Sequence, residues 1–434
     1  MKIRLQNLKS EISKSNIENR FSLMELLGAS LFLLGKKERI ETYYFLRLVK
    51  NLFSYRVLKT HLITYSSFQS DPNRILIALA SFTDRSTSFF SDLIKLKSSN
   101  VDIVVPHVPN TTEVKTLNTS SMGFLPLELL DIVIKLSNLS LSEKIIIASL
   151  LKTQWLRYKS SQRLLVDMRY NVILTEFDRY PATAPFILAA KGLGIPTATL
   201  VHGAINPIDH YLPIIADELW VWGEFHREKF IHNGIAESII KIVGNPKVKR
   251  LKRNSRNVRG TIGVGLTVMP WSNQLILLEQ IMALKGEFRK IVVRPHPNDD
   301  LNKFSFLLSD TVVLSTKEES LEDFFMSIDI FAVRRSQMGT DALAYDIPII
   351  VLDPLLDNDL QNGEILNKEA GCPVLKNSRE VKDEVLRLLD KSYMHQRLEC
   401  QNAFFDRVYE YTGEQAVKAM AERLQDLIMK SPND

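Results

Sequence analysis

Several short segments gather charged, hydroxyl and imidazole side chains directly after apolar runs. Arg294-Pro295-His296-Pro297-Asn298-Asp299 follows Lys290–Val293 (KIVV). Its two prolines stiffen the backbone around one guanidinium and one imidazole. Such a loop can donate hydrogen bonds to an anion, Arg294 adding charge and a forked donor pair and His296 an N–H. A polar surface loop with a satisfied histidine fits the same residues. Arg334-Arg335-Ser336-Gln337-Met338-Gly339-Thr340-Asp341 follows Asp329–Val333 (DIFAV) and opens into a helical segment. Ser336, Gly339 and Thr340 would place hydroxyls and backbone N–H groups at a helix start, where phosphates bind. Ordinary N-caps use the same types, but two adjacent arginines favour phosphate. Glu322, in Leu321-Glu322-Asp323, is a carboxylate able to hold ribose hydroxyls, or a first-turn acid matched to the helix dipole. Thr267, in Thr267–Ser272 (TVMPWS), adds a hydroxyl for phosphate or sugar.

Two more segments lie in the first half. Glu176 and Asp178 follow Asn171–Thr175 (NVILT), and His202-Gly203 follows Thr197–Val201 (TATLV). Transfer of a group onto a hydroxyl gains from a base, and a carboxylate or imidazole serves. Gly203 allows close backbone approach. Asp178, Glu176 and His202 are therefore the catalytic candidates. An acidic pair at a helix start and a core histidine at a strand end are the plainer readings.

The positioning elements follow from hydrophobic pattern. Arg74–Ala80 (RILIALA), Val101–Val105, Asn171–Thr175, Thr197–Val201, Glu218–Trp222 (ELWVW) and Ile239–Val243 (IIKIV) are near-continuous apolar runs. Parallel strands buried on both faces read this way. The first two, with a helix reaching about Lys97 between them, make a βαβ unit. A helix from about Ala182 ends at Gly192 and Gly194, and another begins near Glu224. Residues 120 to 168, and 1 to about 70, read as helical. Phe21–Gly35 carries Glu25 and falls short of the ~20 apolar residues a membrane span needs, so it reads as a core helix. Glu41–Leu62 interleaves aromatics with Arg47, Lys50, Arg56 and Lys59. That spacing suits a packing helix with a solvated basic face, or a helix on a membrane surface.

After Pro246 the basic stretch Lys247–Arg259 reads as a linker, and the alternation restarts. Strands are expected at Thr261–Thr267, Lys290–Val293, Thr311–Leu314, Asp329–Val333 and Ile347–Leu352. Helices are expected at Asn273–Lys285, Ser320–Met326 and Asp341–Tyr345, and over most of the last hundred residues to Met429. The prediction is an α/β protein with two open sheets facing across a cleft, binding ligands where strand C-termini gather their loops. The expected domains are 1–246, with a helical N-terminal extension, 260–400, and a C-terminal helical segment 401–434 packing back on the first.

The chain has 434 residues, with 55 Lys plus Arg against 50 Asp plus Glu, hence a net charge of +5. A nucleic-acid partner would call for a denser basic stripe; this mild excess suits nucleotide phosphates or an anionic membrane surface. The two cysteines, Cys372 and Cys400, make neither a zinc site nor a disulfide framework. With no signal peptide in view, a cytoplasmic protein is expected, peripheral at most to the inner face of a membrane.

His202-Gly203, Ala216–Gly223 (ADELWVWG), Gly244-Asn245-Pro246 and Arg294-Pro295-His296-Pro297, in that order, resemble bacterial surface-polysaccharide glycosyltransferases of the GT-B fold. Those are the capsule and lipopolysaccharide synthesis proteins. The His-Pro step followed by the Ser336 loop is similar to transferases that use CMP-sialic acid or CMP-Kdo. The resemblance runs from residue 171 to residue 352. It implies two Rossmann-like domains facing across a cleft, with helical N- and C-terminal segments. It implies transfer of a sugar, Kdo or sialic acid, from a nucleotide donor onto a surface glycan or lipid-linked glycan, without bound metal or cofactor. By this resemblance His296 and Ser336 hold the nucleotide phosphate, Glu322 the ribose, and Asp178 or Glu176 acts as base. The sialyltransferase acidic motif ends in glycine, whereas Glu176-Phe177-Asp178-Arg179 has none. CDP-glycerol-type polymer transferases carry similar loops, and UDP-sugars remain open. UDP-GlcNAc 2-epimerases share the architecture, and a glycan-binding protein without catalysis would retain the cleft, since fold does not fix function.

Overall fold

The apolar runs of the sequence form strands with few exceptions. The computed structural model describes residues 61–64, 74–80, 87–96, 101–105, 127–135, 140–203, 205, 208, 211–251, 260–357 and 359–430. The expected helix Phe21–Gly35 and residues 41–60 of the basic–aromatic segment lie outside them. Strands β1 (His61–Thr64), β2 (Ile75–Ala78), β3 (Val101–Val105), β4 (Val172–Thr175), β5 (Thr197–Leu200), β6 (Glu218–Val221) and β7 (Ile240–Ile242) form one sheet, in the order β1-β3-β2-β4-β5-β6-β7. All pairings are parallel except β1 with β3. This corrects the expectation that residues 1 to 70 are helical throughout. His61–Thr64 pairs along the edge of the sheet, and strand pairing overrides helical spacing there.

Strands β8 (Thr261–Gly265), β9 (Lys290–Arg294), β10 (Val312–Leu314), β11 (Ile330–Val333), β12 (Ile349–Leu352) and β13 (Val374–Leu375) form the second sheet, in the order β10-β9-β8-β11-β12-β13. It is parallel throughout. Every residue of β2, β3, β4, β5, β6, β8, β11 and β12 is buried, as parallel strands covered on both faces must be.

Among the described residues the α-helices are α1 (Ser91–Leu96), α2 (Leu127–Lys135), α3 (Leu141–Met168), α4 (Ala184–Gly192), α5 (Glu224–His232), α6 (Trp271–Met282), α7 (Leu321–Ser327), α8 (Met338–Asp341), α9 (Asn362–Ala370), α10 (Ser378–Arg387), α11 (Lys391–Val408) and α12 (Gly413–Met429). Ser140 and Glu143 start α3 with a reciprocal capping box, which satisfies two N–H groups of the first turn. With α4 it covers one face of the first sheet through Leu164, Leu165, Phe186 and Ile187. At about 1.5–3 kcal/mol for each large aliphatic side chain buried, this face is a main source of stability for that half.

The opposite face belongs to an apolar cluster that runs on into the second half, through Trp222, Phe331, Phe404 and Met420. The chain passes between the halves after α11. There Glu410 N–H donates to the Trp222 carbonyl (3.1 Å) and Asn245 N–H to the Tyr411 carbonyl (2.9 Å). The rings of Trp222 and Tyr409 stack at 5.6 Å. Gly244 sits at φ +78°, and a Cβ there would meet the Tyr411 carbonyl at 2.2 Å. Both the left-handed backbone and the close approach demand glycine. α12 then lies against α1 and β4, burying Met420, Leu424 and Leu427. Arg423 of α12 pairs with the buried Glu218 of β6.

Candidate active site

Each sheet contains one place where successive connections leave in opposite directions. In the first, β2 stands between β3 and β4; in the second, β8 stands between β9 and β11. Loops diverge at such a switch point and leave a crevice beyond the carboxyl ends of the strands.

At the first switch point, Ala80 N–H, after β2, donates to Glu176 Oε1 (3.3 Å), after β4. The Glu176 side chain is buried. His202, after β5, approaches the Glu176 carbonyl with Nδ1 at 2.6 Å. A carbonyl only accepts, so the neutral ring carries its proton on Nδ1 and keeps a lone pair on Nε2. The rings of Phe177 and Tyr211, at 5.2 and 5.3 Å, fix its plane. Asp178 holds backbone as well. It is buried, and its Oδ2 accepts from the amides of Ile215 (2.6 Å) and Ala216 (3.0 Å). The structure thus joins Glu176 to His202 and ties Asp178 to the segment entering β6.

In the second sheet the His296 loop folds on itself. Asp299 Oδ2 accepts from His296 N–H (2.9 Å), and His296 Nδ1 accepts from Asn298 N–H (3.2 Å). The neutral ring therefore bears its proton on Nε2. Pro297 is exposed beside it. Gln274 of α6 donates to the Asp299 carboxylate (3.2 Å) and to the Thr267 carbonyl (3.3 Å). It thereby ties the loops after β8 and β9, and Thr267 is part of that tie. Arg294 directs its guanidinium into the protein, to Ser315 Oγ (2.6 Å) and the Glu319 carbonyl (2.8 Å). Burial lowers its pKa against the raising effect of Glu319. Glu322 is exposed in the first turn of α7, whose N-cap Ser320 approaches Arg294 at 3.5 Å.

After β11, Ser336 Oγ accepts from Met338 N–H (3.2 Å) and keeps its own O–H to donate. The amides of Gly339 and Thr340 close turns onto Ser336 (3.1 Å) and Gln337 (2.9 Å). Gly339 is packing-limited, since a Cβ would meet Leu366 at 2.5 Å. Thr340 is buried against Asn362, which also donates to the Ser336 carbonyl (2.9 Å). Sequence reading missed Asn362 and Gln274 as side chains that shape these loops, because Asn362 acts on Ser336 and Gln274 on Asp299, 26 and 25 residues away. Arg334 is buried and paired with Asp353 and Asp357; that charge belongs to the fold. The loops of Thr267, His296 and Ser336 follow three adjacent strands, β8, β9 and β11, and so open side by side.

Among the described residues no group of three or more His, Cys, Asp or Glu is placed to hold a metal ion. No described helix is long and apolar enough to cross a membrane.

No family model matches the chain, and no curated protein matches it. Solved structures do. A glycosyltransferase from Rickettsia africae ESF-5 superposes with a TM-score of 0.50 at 11% identity, over 83% of this chain and 100% of that one. S. aureus MnaA, solved with UDP, gives 0.51 at 12% identity, over 83% and 99%. The UDP-GlcNAc 2-epimerase of Methanocaldococcus jannaschii gives 0.50 at 14% identity, over 81% and 99%. This chain has the GT-B fold: two Rossmann-like sheets with their covering helices.

Proposed function

We propose that this chain is a glycosyltransferase that moves a sugar from a nucleotide donor onto a surface glycan or lipid-linked glycan. Residues 260–400 would hold the donor and residues 1–246 the acceptor, with the protein working at the inner face of a membrane. One observation carries the reading. The strand-end histidines of the two sheets turn Nδ1 to opposite partners, His202 to a carbonyl and His296 to an N–H, so that as neutral rings one is an acceptor and the other a donor at Nε2.

The chemistry follows from that placement. His296 Nε2–H and Ser336 O–H donate to the donor phosphate and offset the charge that grows as the sugar–phosphate bond breaks. His202 Nε2 takes the proton of the attacking acceptor hydroxyl. The imidazolium so formed keeps its Nδ1–H on the Glu176 carbonyl. The His-Pro and serine loops support a CMP-sugar donor carrying Kdo or sialic acid, with Glu322 at the ribose.

Likeness to a 2-epimerase supports a second reading, a nucleotide-sugar epimerase or hydrolase. The test is a thermal-shift panel of CMP, CDP, UDP, GDP and ADP, because a ligand of the folded state raises apparent stability. A shift with CMP alone supports the CMP-sugar donor; a shift with CDP or UDP keeps the enzyme and changes the donor. Release of free sugar without an acceptor selects the second reading. No shift with any nucleotide sinks both.

A further inference from the structure

The guanidinium of Arg335 reaches across the switch point of the second sheet. Its Nη2 donates to the Val268 carbonyl, 2.6 Å away in the loop after β8. Its Nη1 pairs with the Asp359 carboxylate in the loop after β12. Arg335 itself stands one residue before Ser336, in the loop after β11. One side chain therefore touches the loops of three consecutive strands, β8, β11 and β12.

The anchor is itself held. Asp359 N–H donates to Asp357 Oδ1 (3.0 Å), and Gln361 Nε2 donates to Asp359 Oδ1 (3.0 Å). Arg334 adds a bond to the Asp359 carbonyl (2.9 Å). The two arginines differ in surroundings. Arg334 is buried, whereas the Arg335 and Asp359 side chains are 20% and 44% exposed. Ion pairs so exposed add little to stability. What this pair supplies is geometry: a fixed spacing between loops that carry Thr267 on one side and Ser336 on the other.

We propose that Arg335 is a positioning residue. With Asp359 it clamps the loops after β8, β11 and β12, presetting Ser336 for the donor phosphate without touching phosphate itself. The identity of the ligand rests on the nucleotide-sugar reading above; the clamp rests on geometry alone. Donors aimed at an anion lose effect when displaced by an ångström or less.

The test compares the parent with Arg335→Gln, Arg335→Lys and Asp359→Asn. Expected for Arg335→Gln is a melting temperature within about 2 °C of the parent. The donor KM, and the Kd of the nucleotide found in the thermal-shift panel, rise roughly tenfold while kcat changes less than about threefold. Asp359→Asn follows in the same direction, and Arg335→Lys recovers part of the loss. Without ligand, amide hydrogen exchange at 266–270 and 355–361 is faster in Arg335→Gln than in the parent. Parental nucleotide affinity with parental exchange overturns the proposal. So does a melting temperature several degrees lower, which makes Arg335 a stability residue. If the parent binds no nucleotide, the nucleotide-sugar reading fails while the exchange measurement still judges the clamp.

Discussion

His202 and His296 turn the same ring nitrogen to opposite kinds of partner. His202 presents Nδ1 to the Glu176 carbonyl at 2.6 Å, and His296 presents Nδ1 to the Asn298 amide at 3.2 Å. The first contact makes Nε2 a base, and the second makes Nε2 a donor. Alanine at each position therefore separates two effects. His202→Ala is expected to keep the nucleotide thermal shift and lose about 10²–10⁴-fold in kcat. His296→Ala is expected to lose the shift itself. Thermal shift and steady-state kinetics on the two variants decide it; full turnover by His202→Ala would remove that residue from the chemistry.

Asp178 receives two buried amides on one oxygen. Asp178→Ala leaves the N–H groups of Ile215 and Ala216 without this acceptor, at about 1–3 kcal/mol each. Asp178→Asn keeps an acceptor oxygen and is expected to keep both fold and turnover. Circular-dichroism melts with activity assays read both. An Asp178→Asn variant that melts like the parent but turns nothing over would make Asp178 the base in place of His202.

Glu218 is buried in β6, and burial alone would raise its carboxyl pKa. Hydrogen bonds from Arg423 and Trp220, with the charges of Arg423 and Lys430, outweigh burial and hold it below the usual value. Removing Arg423 leaves a buried acid held by the Trp220 indole N–H (3.1 Å) and faced by Lys430 at 3.7 Å, without its bidentate guanidinium partner. Arg423→Ala is expected to lower unfolding free energy by about 2–4 kcal/mol. Arg423→Ala with Glu218→Gln should be less harmful than Arg423→Ala alone. Denaturant titrations around this double-mutant cycle measure the coupling; additive losses would refute it.

His226, in α5 beside the crossover, is fully enclosed. Burial pushes its imidazole down to about 3, against the raising effect of its bond to the Val408 backbone. The unfolded chain takes up this proton below about pH 6.5, the folded chain only near 3. Between those values acid favours the unfolded chain, and stability falls as pH falls, by up to about 1.4 kcal/mol per unit. Replacing His226 by Gln removes the titration and keeps an N–H for Val408. Urea midpoints from pH 7 to 4.5 should fall more steeply for the parent than for His226→Gln. Equal slopes would show that His226 does not drive the acid response.

The two-sheet architecture was legible because buried parallel strands announce themselves. Segments such as NVILT, TATLV and DIFAV are apolar on both faces and short, with helical spacing between them. The helix expected near Glu224 begins there. β13 escaped notice because Val374–Leu375 is too short to carry a period. His61–Thr64 escaped because its neighbours have helical spacing while its hydrogen bonds come from β3. The loops of the site were legible as positions but not as contacts. Arg334 and Arg335 look alike in sequence, yet one is buried among Asp353 and Asp357 and the other spans open loops. Only the fold brings acids 19 to 24 residues away to meet them. The motif Gly244-Asn245-Pro246 was recognised by resemblance, and its physical reason is the passage of residues 409–412 against it.

That passage sets an order of events during synthesis. A nascent chain emerges from its N-terminal side, and domains generally fold as they appear. Here one face of the first sheet acquires part of its cover from α12, residues 413–429, more than 170 residues after β7. Until residues 409–429 leave the ribosome, Trp222 lacks the Tyr409 ring and the Glu218 carboxylate lacks Arg423. The half of the molecule made first is thus completed only after the second sheet has been made, and a ribosome stalled within that sheet would hold a first half still without α12.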